Sequence, residues 1–162
     1  MMFHQYFLSP IGWLRISASS ESLRQVQFLE DEPEDSPHPN NITKLVTEQL
    51  QSYFRHGKTE DIFPLLKKGS QFQRRVWEMA CRIPAGKTIS YQQLAINLGN
   101  IRQTRAVARA LATNPILVLI PCHRVTGKDG KLRGYAGSPS RKQWLLQFEA
   151  KEIEQLTLFP TG

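Results

Sequence analysis

Three residues that together can activate a sulfur nucleophile lie in the C-terminal half of this 162-residue chain: Cys122, His123 beside it, and Glu149. A thiolate attacks carbon and a thiol barely does, so a working cysteine needs a base, a cation or a helix N-terminus near it. His123 supplies the base. Adjacent side chains of an extended segment point to opposite sides, so the path from sulfur to ring is expected to run through a bridging water. A buried carboxylate usually orients such a ring. Glu149 is the best choice, because acidic residues are few in this half and it follows an apolar helix stripe. The residues alone leave a second reading open, in which the Cys-His pair is chance and Cys122 only ends a strand.

The elements that would hold this chemistry can be read outward from Cys122. Pro115-Ile116-Leu117-Val118-Leu119-Ile120 reads as a buried strand, stopped at Pro121, so the thiol sits at the end of a rigid element facing a cleft. Trp144, Leu145 and Phe148 form the core stripe of a final helix that starts at Ser138-Pro139 and carries Glu149. Asp129-Gly130 signals a hairpin, and Gly134 to Ser140 a glycine-containing loop with Tyr135 in it. The other cysteine, Cys81, lies among apolar neighbours on a helix and reads as buried and inert. Neither cysteine has metal-type spacing, which favours a reducing compartment and excludes a disulfide scaffold. No signal peptide is recognisable at Met1-Met2-Phe3-His4, and the run Ile116–Ile120 is too short to span a bilayer, so a soluble cytoplasmic protein is expected.

Charge divides the chain. Residues 1–69 hold seven Lys/Arg against nine Asp/Glu, a balance of −2, and residues 70–162 hold fourteen against five, a balance of +9. The basic half meets a polyanion or is a solvated face; charge alone does not choose. A helix from Ser90 with a Ser90/Gln93 capping box, a turn at Gly99, and a helix from Gln103 to Thr113 outline a helix-turn-helix. Val107, Ala110 and Leu111 face inward. Thr104, Arg105, Ala106, Ala108 and Arg109 face out, and small residues beside arginines let a helix approach a DNA backbone or groove. Ahead of this lie three short strands (3–8, 12–18, 23–29), an acidic Pro-rich loop (30–41) and a helix with Ile42, Leu45, Val46, Leu50, Tyr53 and Phe54 on one stripe, closed at Gly57. Ser70 with Gln73 opens the next helix. The prediction is an α+β protein with an N-terminal antiparallel-sheet module over 1–69 and a mostly helical C-terminal domain over 70–162.

Pro121-Cys122-His123-Arg124-Val125, preceded by Asn114-Pro115 and an apolar run, resembles the signature of the O6-alkylguanine-DNA alkyltransferases. Ile89-Ser90-Tyr91-Gln92-Gln93-Leu94-Ala95 resembles the family's first helix-turn-helix helix, and Arg105-Ala106-Val107 its recognition helix. Gly134-Tyr135-Ala136-Gly137 resembles the substrate loop, and Trp144-Leu145-Leu146 with Glu149 the closing helix. The resemblance covers residues 70–150 strongly and the N-terminal part only in layout. It implies a ribonuclease H-like N-terminal domain and a winged-helix-like C-terminal domain. It implies repair of O6-alkylguanine in double-stranded DNA, with the base flipped from the minor groove and its alkyl group moved once and irreversibly to Cys122. O4-alkylthymine as a substrate stays open. On that pattern Arg105 replaces the flipped base, and Ser90, Thr104, Ala106, Ala108 and Arg109 belong to the DNA-binding face. Tyr91 hydrogen-bonds or protonates ring N3. Tyr135, Ala136 and Gly137 belong to the substrate loop, and carbonyls at Cys122 and Val125 accept from the exocyclic amine. His123 and Glu149 form the water-linked relay, and Asn114 fixes the cysteine segment. No cofactor and no metal are implied; the protein is expected as a monomer, with clustering along DNA open.

The sequence departs from parts of that family. It has no cysteine and histidine set for an N-terminal zinc site, and Ala136 and Ser138 stand where some members have serine and glycine. Two other readings compete: a helix-turn-helix sensor of alkylated DNA without chemistry, and a cysteine hydrolase using Cys122, His123 and Glu149.

Overall fold

The computed structural model describes residues 1–127 and 135–158. The fold is α+β, and its contacts divide the chain into two compact units: Met1–Gly69 with Pro115–Leu119, and Ser70–Asn114 with the chain from Ile120 onward. Among the described residues, no helix is long and apolar enough to cross a membrane. The hairpin signal at Asp129-Gly130 and the loop glycine Gly134 lie outside the described residues.

In the first unit β1 (Met2–Ser9), β2 (Gly12–Ser19) and β3 (Leu23–Phe28) form an antiparallel meander in that order. Strand periodicity is plain in β2, where Leu14, Ile16 and Ala18 are fully buried and the residues between them are half-buried. Helix α1 (Asn41–His56) starts at a reciprocal cap of Asn40 and Thr43 and stops at Gly57, whose φ of 70° suits glycine. Its buried face is Thr43, Val46, Thr47, Gln49, Leu50 and Tyr53; Leu45, expected inside, is 39 % exposed.

The expected strand at 115–120 is not a strand. Val26 donates to the Pro115 carbonyl and accepts from Leu117 N–H, giving a single parallel bridge to Ile116. The chain then folds back on itself through Leu117 carbonyl and Leu119 N–H, 2.9 Å apart, with Val118 between them at φ 72°. A β-branched residue there costs on the order of 1–3 kcal/mol, which surrounding packing must offset. An apolar run reports burial, and a buried turn is as apolar as a buried strand.

The second unit is built on α2 (Gln71–Cys81), α3 (Tyr91–Asn97), α4 (Thr104–Ala112) and α5 (Pro139–Leu158), with β4 (Ile89–Ser90) paired in parallel to β5 (Val125–Thr126). The Ser70/Gln73 capping box is complete. Trp77, 1 % exposed, donates its indole N–H to the Ala110 carbonyl at 2.8 Å and seats α2 on α4. Burying such a side chain contributes about 2–3 kcal/mol. Between α3 and α4 the turn uses Gly99 at φ 112° and an Asn100 side chain that accepts from Arg102 N–H. The second capping box is only half made: Ser90 accepts from Gln93 N–H, but the Gln93 amide turns along its helix to Asn97. Cys81 is half-buried rather than sealed in the core.

Candidate active site

Cys122 opens a 3-10 turn, Cys122–Arg124, with Pro121 as its cap. The Cys-His pair is therefore not extended; a 3-10 turn spaces successive side chains roughly 120° apart instead of opposing them. The thiol is 5 % exposed. Asn114 places one amide nitrogen 2.9 Å from the Ile120 carbonyl and 3.0 Å from Cys122 Sγ. It thus ties together the points where the chain leaves the second unit and re-enters it. Burial pushes the thiol up to about 11, against the opposing pull of the Asn114 amide and the Lys142 charge. At rest the sulfur is protonated.

His123 is fully buried, and its Nε2 lies 2.8 Å from Glu149 Oε2. Burial alone would raise the Glu149 carboxyl, but the hydrogen bonds and charges of His123 and Arg124 outweigh it and hold it at about 2. An ionised carboxylate only accepts, so Nε2 carries the hydrogen and Nδ1 is the basic nitrogen. Nδ1 has no hydrogen-bond partner among the described residues. Burial also lowers the basicity of the ring, partly offset by Glu149. The Tyr135 ring meets that of His123 edge-on at 6.2 Å. The site as built holds a neutral imidazole with one open lone pair and, on the preceding residue of the same turn, a neutral thiol.

Two cations in this site went unread in the sequence. Arg124 grips Glu149 with two nitrogens: Nε donates to Oε1 and Nη2 to Oε2, each at 2.9 Å, while Nη1 donates to the Ile83 carbonyl at 2.7 Å. Lys142 is 1 % exposed, donates from Nζ to the Val125 carbonyl at 2.6 Å, and lies 5.9 Å from the Tyr91 ring centre. The expected stripe of α5 is corrected accordingly. Its buried face is Lys142, Leu145 and Glu149, while Trp144 and Phe148 are half-buried and stacked at 5.2 Å. The spacing i, i+3, i+7 was the available signal, hidden because two of those three residues are charged.

The remaining predicted residues fall around this centre or on the helix pair. Val125 is buried in β5 opposite Ile89, and Tyr91 is the first residue of α3. Tyr135 and Gly137 are buried and Ala136 is exposed. The loop ends at Ser138, which sits at φ 92° and offers its hydroxyl to Arg141 N–H. Arg105 and Arg109 are exposed on α4, and Thr104, Ala106 and Ala108 are half-buried. Ala106 and Arg109 flank a cleft of about 430 Å³ against Ser70, Phe72 and Gln73 of the α2 start. The Ser90 and Thr104 hydroxyls both have work inside the fold, as a cap and as a donor to the Ile101 carbonyl. No group of three or more side chains suited to a metal ion occurs among the described residues.

The site is that of a thiol protein, a buried cysteine with an oriented histidine, carried in the same unit as a helix-turn-helix, and comparison with known proteins narrows the class. Residues 71–151 match the family model of the 6-O-methylguanine DNA methyltransferase, DNA binding domain. The methylated-DNA–protein-cysteine methyltransferase of Methanosarcina barkeri is 36 % identical over 158 residues, 94 % of this chain and 99 % of the relative. That of Mycobacterium tuberculosis is 38 % identical over 165 residues, 98 % of this chain and 99 % of the relative. A crystal structure of the M. tuberculosis O6-methylguanine methyltransferase superimposes with a TM-score of 0.80 over 94 % of both chains at 36 % identity. One of M. tuberculosis OGT in complex with DNA does so at 0.78 over 92 % of this chain and 93 % of the other, also at 36 % identity. The chain belongs to the methylated-DNA–protein-cysteine methyltransferase family.

Proposed function

We propose that the chain repairs DNA directly, moving an alkyl group from O6 of guanine in a duplex to Sγ of Cys122, once per molecule. The open Nδ1 of His123, on the residue that follows a thiol held by Asn114, is the observation that supports it most. With the thiol near 11, a free thiolate at neutral pH would cost about 5 kcal/mol, so the proton must leave as attack proceeds. A bridging water takes the thiol proton and gives one of its own to Nδ1. The S–C bond forms as the C–O6 bond breaks, and that bond's electron pair departs with the guanine. Tyr91, at the start of α3, supplies a proton or hydrogen bond to ring N3. The Tyr135–Gly137 loop and the Cys122 and Val125 carbonyls hold the base. The product is a thioether, which ordinary thiols do not displace, so nothing restores Cys122.

The base reaches this pocket by flipping. Helix α4 enters the minor groove, where Ala106 and Ala108 permit close approach and Arg105 fills the gap in the stack. Arg109 and the Ser90 and Thr104 backbones meet phosphates. The protein works as a monomer in a reducing, cytoplasmic setting that keeps both cysteines free. Intact-protein mass spectrometry after incubation with an O6-methylguanine duplex tests this. One methyl group per chain, mapped to Cys122 and absent in Cys122→Ser, is expected. Unchanged mass with tight binding to the lesion would favour a damage sensor, and no binding would sink both.

A further inference from the structure

Glu149 is shared between two partners, and the sharing is unequal. Arg124 occupies both carboxylate oxygens through a planar fork, while His123 has one bond to Oε2. The fork is itself anchored, since its third nitrogen is held by the Ile83 carbonyl. The carboxylate is fully buried and the guanidinium is 12 % exposed, so little solvent screens the pair. Arg124 comes from the 3-10 turn and Glu149 from α5.

We propose that Arg124 is a positioning residue for the proton transfer, holding Glu149 as an acceptor that orients His123 but does not take its proton. This rests on the alkyl-transfer reading above. Two requirements meet at the ring. His123 must be neutral before attack, or Nδ1 has no lone pair to offer. After attack it must keep the proton, or a neutral Glu149 would be left against the guanidinium. A carboxylate facing only an imidazole would hold more of that ring as imidazolium at rest and leave fewer molecules that meet the first requirement. The guanidinium, which never deprotonates, weakens the carboxylate as a base and repels charge on the ring. The charged and titratable groups acting on His123 are Glu149 and Lys142 from α5 and Arg124 from its own turn, with Tyr135 edge-on. Arg124 contacts both oxygens of the orienting carboxylate.

The test uses the full chain with Arg124→Gln and Arg124→Lys. One readout is the single-turnover rate of methyl transfer from an O6-methylguanine duplex across pH. The other is the His123 titration followed by NMR of ring-labelled histidine, assigned against His123→Gln. For Arg124→Gln, the His123 titration is expected to rise by about one pH unit, a tenfold gain in proton affinity. The acid limb of the rate should move up with it, and most of the rate should return at higher pH. Arg124→Lys keeps the charge without the fork, so its shift should be smaller; it also preserves the test if the glutamine variant folds poorly. An unmoved titration with a rate lowered evenly at every pH would overturn the proposal and leave Arg124 a structural brace. Absence of methyl transfer in the unaltered chain would instead remove the reading on which it rests.

Discussion

Lys142 Nζ stands 2.6 Å from the Val125 carbonyl oxygen, an ammonium group with almost no access to water on a backbone acceptor assigned above to the substrate base. Burial lowers the proton affinity of that lysine and the nearby Cys122 sulfur raises it. Its charge in turn pulls the Cys122 thiol downward. Lys142→Met keeps the length and apolar stem but removes the charge and the donor. The thiol should then titrate above the present value of about 11, and methyl transfer should slow by roughly tenfold or more. Thiol reactivity toward a disulfide reagent against pH checks the first expectation. An unchanged profile would mean that Lys142 only packs.

Glu149 ties stability to acid. Its folded value of about 2 lies below the ordinary 4.5, so the folded state holds fewer protons there than the unfolded chain. The resulting stabilisation is complete above about pH 4.5 and is lost as pH falls toward 2, worth about 3 kcal/mol at most. His123 acts in the same direction at higher pH, since its lowered value makes the fold lose stability as pH drops through the ordinary histidine range. In denaturant titrations, Glu149→Gln should be less stable than the parent at neutral pH, with the gap closing below about pH 4.5. A constant gap down to pH 3 would contradict the assigned ionisation.

Gly86 is required twice over. Its φ of 86° is a conformation that side chains avoid, and a Cβ built on it would lie 2.7 Å from Ile153 Cγ1 and 3.8 Å from the Glu149 carbonyl. Gly86→Ala should cost about 1–3 kcal/mol in chemical denaturation. Ile153→Ala in the same chain should restore the steric part and not the backbone part. No relief from the second change would show that the helix carrying Glu149 does not bear on this glycine.

Arg105 is exposed on α4, and its proposed task exists only in a duplex. Arg105→Ala should slow repair of double-stranded DNA far more than reaction with a free O6-alkylguanine base. Equal loss on both substrates would count against base flipping and favour a general role in folding.

What the sequence determined by itself is what short-range physics decides. The Ser70/Gln73 box, the Gly57 stop and the three short strands are settled by hydrogen bonds and residue preferences within a few positions, and they form as read. Cys122 and His123 were legible because they are adjacent, and Glu149 because carboxylates are scarce around it. Tertiary structure decided the rest. Whether 115–120 runs straight or turns depends on Val26 taking two of its backbone bonds, and hydropathy is the same in either case. Whether Lys142 and Arg124 are solvated or buried depends on acceptors far along the chain: Val125 for one, Glu149 and Ile83 for the other. A charged side chain leaves water only where a partner is already in place, and that partner is supplied by the fold.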